Sequence, residues 1–225
     1  DAFGTEVLAA TADGAIWFGF ELGLARYSSN SDWSDWTIAD PLPSGEVRAI
    51  SADGGDVWIA TPAGAVSRNA TGGFKSWQAD AGAWHDFFYD MAIGPDGSVW
   101  HATGDGLITV RPDGELVAHH LDAALPLSYV AAVGLDAQGR PWIGTGPSGN
   151  VQKSLARRDA DGTWHPVDLV NPWTGQQVLY IPKIVSARDG SLWIVGDDGL
   201  YHLDGDGGLL AFYNAIDLDS FAVMT

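Results

Sequence analysis

With 225 residues, 46% of them apolar, the chain is long enough for one sizeable globular core, and its lack of cysteine excludes disulfides, thiolate nucleophiles and Cys-ligated zinc. Asp and Glu total 29 against 11 Lys and Arg, a net charge of −18 whose field repels phosphate backbones and anionic lipid and so argues against nucleic-acid and membrane-surface roles. No apolar run approaches the ~18 residues of a spanning helix, so no membrane insertion by this chain is expected.

In chain order, the opening "DAFGTEVLAA" has no Met, basic region or apolar run of a leader. It reads as a chain whose signal peptide has been removed, or as a piece of a longer protein. A small apolar strand, "VLAATA", then meets an Asp13-Gly14 turn, a second strand "IWFGF" with Trp17, a Gly turn, and a third strand "GLARY". "DWSDW" (32–36) forms a fourth strand with Trp33 and Trp36. The same order returns four times. Its small first strands are "VRAISA", "DMAIG", "VAAVG" and "KIVSA", and its second strands carry Trp58, Trp100, Trp142 and Trp193. Further aromatic residues mark later fourth strands: Phe74 and Trp77, Trp164, Phe212 and Tyr213.

The five tryptophans are spaced by 41, 42, 42 and 51 residues. A period of roughly 40–50 residues with four strands per unit predicts an all-β propeller of four-stranded antiparallel blades. Five blades are expected in one domain over 1–225, with no helix, because no stretch sustains a 3.6 period. The long fourth interval places insertions before Asp161 and in the connection "HPVDLVNPWTGQQVLYIP". "LDSFAVMT" (218–225) aligns with "LPSGEVRA" (42–49), so the end of the chain is expected to begin another inner strand. That strand would close a ring of five, or continue into a longer propeller.

The units resemble the two-component regulator propeller repeat: "LPSGEV" (42–47) and "LPLSYV" (125–130) match its lead-in, and "WIGT" (142–145) and "WFGF" (17–20) its core. Blade three, "GPDGSVWHATGDGLITVRPDGE", is also similar to streptogramin-lyase-like propellers. The first resemblance implies a sensor-type module that binds a ligand or partner outside the cytoplasm, in the periplasm or secreted. The second implies a lyase.

Repeated residues read as structure. Asp13, Asp53, Asp96 and Asp189 recur at turns where Asp caps its own backbone and Gly supplies positive φ, and the repeat tryptophans read as wedges between blades. The turns "DADG" (159–162) and "DGDGG" (204–208) resemble the front of a calcium loop. They lack its third ligand and distal Glu, so no cofactor and no metal are expected, calcium being the one candidate. His119 and His120 are neighbours on a strand and face opposite ways. No catalytic residue is assigned, since Asp90 is the only carboxylate within the first strands, with Glu6 and Glu46 just ahead of two of them.

Elimination among eleven tryptophans leaves Trp84 and Trp173, both in connections between blades. Such loops on a rigid scaffold are where binding is expected. The candidate ligand-binding residues at the mouth of the channel are Trp84, His85, Asp86, Phe88 and Tyr89 from one loop, with Asn171, Trp173 and Tyr180 from another. Asp197 and Asp198, in the turn Gly196–Gly199, join them at the same mouth. The same side chains would also serve as a plug sealing the channel. The expected partner is a small molecule, a glycan or a protein. A non-catalytic binding propeller is the reading; a streptogramin-type lyase, a glycan-active hydrolase and a protein-association scaffold are its alternatives.

Overall fold

A computed structural model describes residues 7–37, 42–78, 88–104, 106–120, 129–145 and 154–214. Among these residues there are twenty strands and no helix. The first sheet runs β1 (Val7–Ala10), β2 (Ile16–Phe20), β3 (Gly23–Tyr27), β4 (Trp33–Thr37). The second runs β5 (Ala49–Asp53), β6 (Asp56–Thr61), β7 (Gly64–Arg68), β8 (Phe74–Gln78). The third contains β9 (Phe88–Ile93), β10 (Val99–Thr103), β11 (Gly106–Val110) and β12 (Leu116–His120). The fourth runs β13 (Val130–Leu135), β14 (Pro141–Thr145), β15 (Leu155–Arg158), β16 (Trp164–Val167). The fifth runs β17 (Lys183–Ser186), β18 (Leu192–Gly196), β19 (Gly199–Leu203), β20 (Leu209–Asn214).

Two compact units divide the chain, Asp1–Ile93 and Gly94–Thr225. In the first unit, β1, β5 and β9 are successive neighbours; in the second, β13 lies beside β17. First strands side by side, each followed outward by three antiparallel strands, are the arrangement of propeller blades. The five expected sheets are all present.

The Asp-Gly turns behave as the sequence suggests. Asp13 Oδ1 accepts from the Ala15 amide at 3.1 Å, Asp96 Oδ1 from Ser98 and Asp189 Oδ1 from Ser191, both at 3.0 Å. Gly14, Gly97 and Gly190 follow at φ of 78°, 78° and 84°, where a side chain would be strained. Asp53 differs: it ends β5 opposite Asp56, and the turn is made by Gly54-Gly55. In the fourth sheet Asp136 takes the turn's place. It accepts from the amides of Gln138 and Arg140 at 3.0 Å each, from Arg140 Nε at 2.7 Å and from Trp142 Nε1 at 3.0 Å. Arg140 then reaches the fifth sheet's "DGDGG" turn, donating to the Gly205 carbonyl at 2.6 Å and to Asp206 at 3.2 Å.

The repeat tryptophans divide into two groups, which refines the wedge expectation. Trp17 packs with Leu24, Val47, Val57, Ile59 and Val66 between the first and second sheets. Trp142 packs with Leu155, Ile181, Leu192, Ile194 and Tyr201 between the fourth and fifth. Both rings are buried. Trp58, Trp100 and Trp193 are half-buried. Each of these three stacks on a ring of its own sheet: Trp77 at 4.8 Å, His119 at 4.8 Å and His202 at 4.1 Å, respectively. "DWSDW" turns one ring inward, Trp36 stacking on Trp17 at 5.4 Å, while Trp33 is exposed.

Two residues beyond each tryptophan stands a notch: Gly19, Ala60, Ala102 and Gly144 in the first four sheets. At the two glycines a β-branched residue just ahead of the next sheet's first strand fills it, Val47 at Gly19 and Ile181 at Gly144. A Cβ built on Gly19 would lie 2.5 Å from Val47 Cγ1, and one on Gly144 would lie 2.8 Å from Ile181 Cβ. The backbone locks the same contact, Val47 N donating to Phe20 O at 2.9 Å and Ile181 N to Thr145 O at 3.1 Å. Gly144→Val is therefore expected to destabilise by about 1–3 kcal/mol, the usual cost of overpacking, read as a lowered urea midpoint with an unchanged m-value.

Candidate functional site

The second long connection is built like a small hairpin. Val170 bridges Gln177, Asn171 N donates to Gln176 O at 2.8 Å, and Val178 N donates to Leu169 O at 3.0 Å. Asn171, itself buried, works with both ends of its amide. Its Oδ1 accepts from the amides of Trp173 at 2.9 Å and Thr174 at 3.0 Å. Its Nδ2 donates to Asp198 Oδ2 at 2.7 Å. One side chain thus fixes the loop that carries Trp173 and ties it to the β18–β19 turn.

Asp198 is held from the other side as well, by the Tyr201 hydroxyl donating to Oδ1 at 2.8 Å. Burial pushes the Tyr201 phenol pKa up, with Asp198 and Asp197 adding to the shift, so this hydroxyl remains a donor throughout the physiological range. Asp197 is exposed. Its amide donates to Tyr180 O at 3.2 Å, and its Oδ1 lies 3.4 Å from Leu179 N. Trp173 is 62% exposed, its ring meeting Phe212 edge-on at 5.4 Å. Phe212 packs in turn on Tyr201 at 4.7 Å.

Of the residues expected at the mouth of the channel, Asn171, Trp173, Tyr180, Asp197 and Asp198 are tied together where the long connection meets the β18–β19 turn. Asp198 is a structural link, while Trp173 and Asp197 face solvent. Trp84, His85 and Asp86 lie outside the described residues. Phe88 is buried at the start of β9 rather than in a loop. Tyr89 is half-buried, with the Arg48 guanidinium 5.6 Å from its ring centre.

Sequence reasoning did not single out Tyr201. The signal was present, because its position in β19 holds Ala25, Val66, Ile108 and Ala156 in the other four sheets. A phenol among aliphatic residues marks the blade whose turn needs an internal donor.

The acidic turns elsewhere are occupied by protein partners. Asp159 is paired with Arg157 at 3.1 Å and His165 at 3.0 Å, and Asp204 accepts from the amides of Asp206 and Gly208. Among the described residues no group of three His, Cys, Asp or Glu is placed to hold a metal. Of the carboxylates near the first strands, Asp90 is buried and Glu46 is paired with Arg48 at 3.0 Å; Glu6 lies outside the described residues. His119 points into its sheet, with Nε2 2.8 Å from Thr109 Oγ1, while its neighbour His120 is exposed.

No family model and no curated protein matches the chain. Solved structures do. A virginiamycin B lyase from Staphylococcus aureus matches at 16% identity and a TM-score of 0.74, over 94% of this chain and 70% of the lyase. A streptogramin B lyase matches at 19% identity and 0.73, over 94% and 68%. The extracellular domain of a putative hybrid two-component system from B. thetaiotaomicron matches at 17% and 0.69, over 88% of this chain but 27% of that one. Both kinds of propeller that the repeats resemble are therefore among the structural neighbours. At such identities the likeness is one of fold. The chain spans about a quarter of the length of the regulator domains.

Proposed function

We propose that the chain is a non-catalytic binding module of the sensor type, whose ligand rests on the exposed face of Trp173 beside the Asp197 carboxylate. The observation that carries this reading is the Asn171 clamp. Asn171 holds the Trp173 backbone while its amide nitrogen is anchored on Asp198, so a large aromatic surface is offered to solvent on a rigid mount. Preorganised aromatic surface gives contact area at low entropic cost, and an exposed carboxylate beside it supplies orientation. A small molecule, a glycan or a protein segment suits such a shelf. An extracytoplasmic setting is supported by the neighbours described as extracellular domains.

The enzymatic readings draw less support. A catalytically inactive variant of the staphylococcal lyase was solved with quinupristin, so that lyase's chemistry depends on the residue altered. Among the described histidines, His119 and His202 stack on tryptophans, His101 is buried and His165 meets Asp159, while His120 is exposed.

The test is equilibrium binding to a panel of oligosaccharides, basic peptides and small amphipathic molecules, followed by tryptophan fluorescence. At least one class should bind, and Trp173→Ala should weaken it about tenfold or more without moving the melting temperature. Unchanged affinity in Trp173→Ala, or no binding across the panel, would overturn the proposal.

A further inference from the structure

The turn between β18 and β19 is closed differently from its counterparts. In three of the other four sheets a threonine ends the second strand, and its hydroxyl donates across the turn. Thr61 donates to Gly64 O at 3.0 Å, Thr103 to Gly106 O at 3.1 Å and Thr145 to Ser154 O at 3.3 Å. In the fifth sheet that position is Gly196. A Cβ there would lie 2.9 Å from Val178 Cγ1 and 3.2 Å from Tyr201 Cε2, so a side chain would crowd the phenol. The Tyr201 hydroxyl supplies the closing bond instead, donating to Asp198 Oδ1 at 2.8 Å. A threonine closure ends within its turn. This one continues, because the other oxygen of the same carboxylate accepts from Asn171, which holds the Trp173 loop.

Tyr201 also reaches Trp173 by a second route. Its ring packs on Phe212, its neighbour across the β19–β20 ladder, with centroids 4.7 Å apart, and Phe212 meets the Trp173 ring at 5.4 Å. The contacts close a circuit from Tyr201 through Asp198, Asn171, Trp173 and Phe212 back to Tyr201. One arm holds the backbone of the loop by hydrogen bonds, and the other holds its indole by packing. A loop braced in this way has less freedom to lose when a ligand settles on it. Tyr201 itself has no solvent exposure, and its place in the repeat is aliphatic in the other four sheets. Filling the core therefore does not call for a hydroxyl at this position.

We infer that Tyr201 is the positioning residue of the Trp173 surface: it touches no ligand, and it sets the affinity by keeping the loop in the shape that binds. This rests on the reading of Trp173 as the binding surface. Tyr201→Phe separates the two arms, since it keeps the ring against Phe212 and removes only the donor to Asp198. Asp198 Oδ1 then turns to water, and the Asn171 tie loses its brace. The amides of Trp173 and Thr174, both bonded to Asn171 Oδ1, are released more often. Apparent affinity falls by the fraction of time the loop spends out of its binding shape.

Amide hydrogen exchange of the whole chain, wild type against Tyr201→Phe, tests the first step without any ligand. Exchange at Trp173 and Thr174 is expected to quicken about tenfold, the scale of one hydrogen bond to a charged group, while amides of β18 and β19 keep their wild-type rates. In an Asn171→Ala background the same substitution should add nothing at these two amides, because the path through Asp198 is already cut. A member of the panel of oligosaccharides, basic peptides and amphipathic molecules that binds the wild-type protein should bind Tyr201→Phe about threefold or more weakly. Four results would each overturn the inference and leave the Trp173 surface standing: unchanged loop exchange, a rise spread evenly over β17–β20, a further rise in the Asn171→Ala background, or unchanged affinity beside a loosened loop. No binding by the wild-type protein would overturn both.

Discussion

Replacing Trp142 by Ala is expected to cost about 3–5 kcal/mol of folding free energy, the range for removing a fully buried indole. The ring has no solvent exposure and lies in the core between the fourth and fifth sheets. Its loss would open a cavity among Leu155, Ile181, Leu192 and Tyr201, whose positions are fixed by two sheets and relax poorly. It would also strip a donor from Asp136, a buried carboxylate, leaving the Arg140 clasp less compensated. Trp193→Ala is the matched control: the same repeat position, half-buried, stacked on His202 and near Tyr213 within its own sheet. Its cost should be about 1–2 kcal/mol, for a partly exposed side chain. Urea denaturation of the two variants reads the difference; equal costs would mean that the position, rather than the covering sheet, sets the contribution.

The second large effect is acid sensitivity above the carboxylate range. Burial pulls the pKa of His101 down to about 3 and that of His119 down to about 4, the latter with Arg158 and Arg111 contributing. In the unfolded chain both titrate near 6.5. Between these limits the unfolded state binds more protons than the folded one, so stability rises with pH. It is fully present above about pH 6.5 and is lost as the pH falls toward 4, at up to about 1.4 kcal/mol per pH unit for each histidine. His101 occupies a position that holds Phe18, Ile59, Ile143 and Ile194 in the other sheets. His101→Ile restores the apolar residue of the repeat, and it should flatten the pH dependence between 6.5 and 4.5 by the equivalent of about one proton. Thermal unfolding of both proteins across that range is the measurement; parallel slopes would show that His101 is not the group responsible.

Much of the fold was legible in the sequence because a repeat writes the same physics several times. The spacing of the five tryptophans, the Asp-Gly turns and the small first strands each point to four-stranded blades, and local hydrogen bonds at Asp13, Asp96 and Asp189 carry out what those residues predict. Asp136 was harder to find, because "DAQGR" hides the same turn behind a different pair and its carboxylate is recruited by Arg140 and Trp142 from beyond the turn.

The candidate site was legible only in part. Trp173 could be reached by elimination, since no repeat position accounts for it. That Asp198 is a strut and Asp197 a free-facing carboxylate could not, because the two are adjacent and alike in sequence. Only the approach of Asn171 and Tyr201, from 27 residues before and three after, separates them.

By itself, then, the sequence determined this protein's architecture: period, strand order and turn chemistry are local properties that short segments express wherever they are placed. Tertiary structure decided which of several equivalent residues matter. Trp142 and Trp193 share a motif, yet one is sealed beneath a second sheet and the other faces outward. Burial depends on what packs above a residue, and nothing in a repeat's own pattern records that.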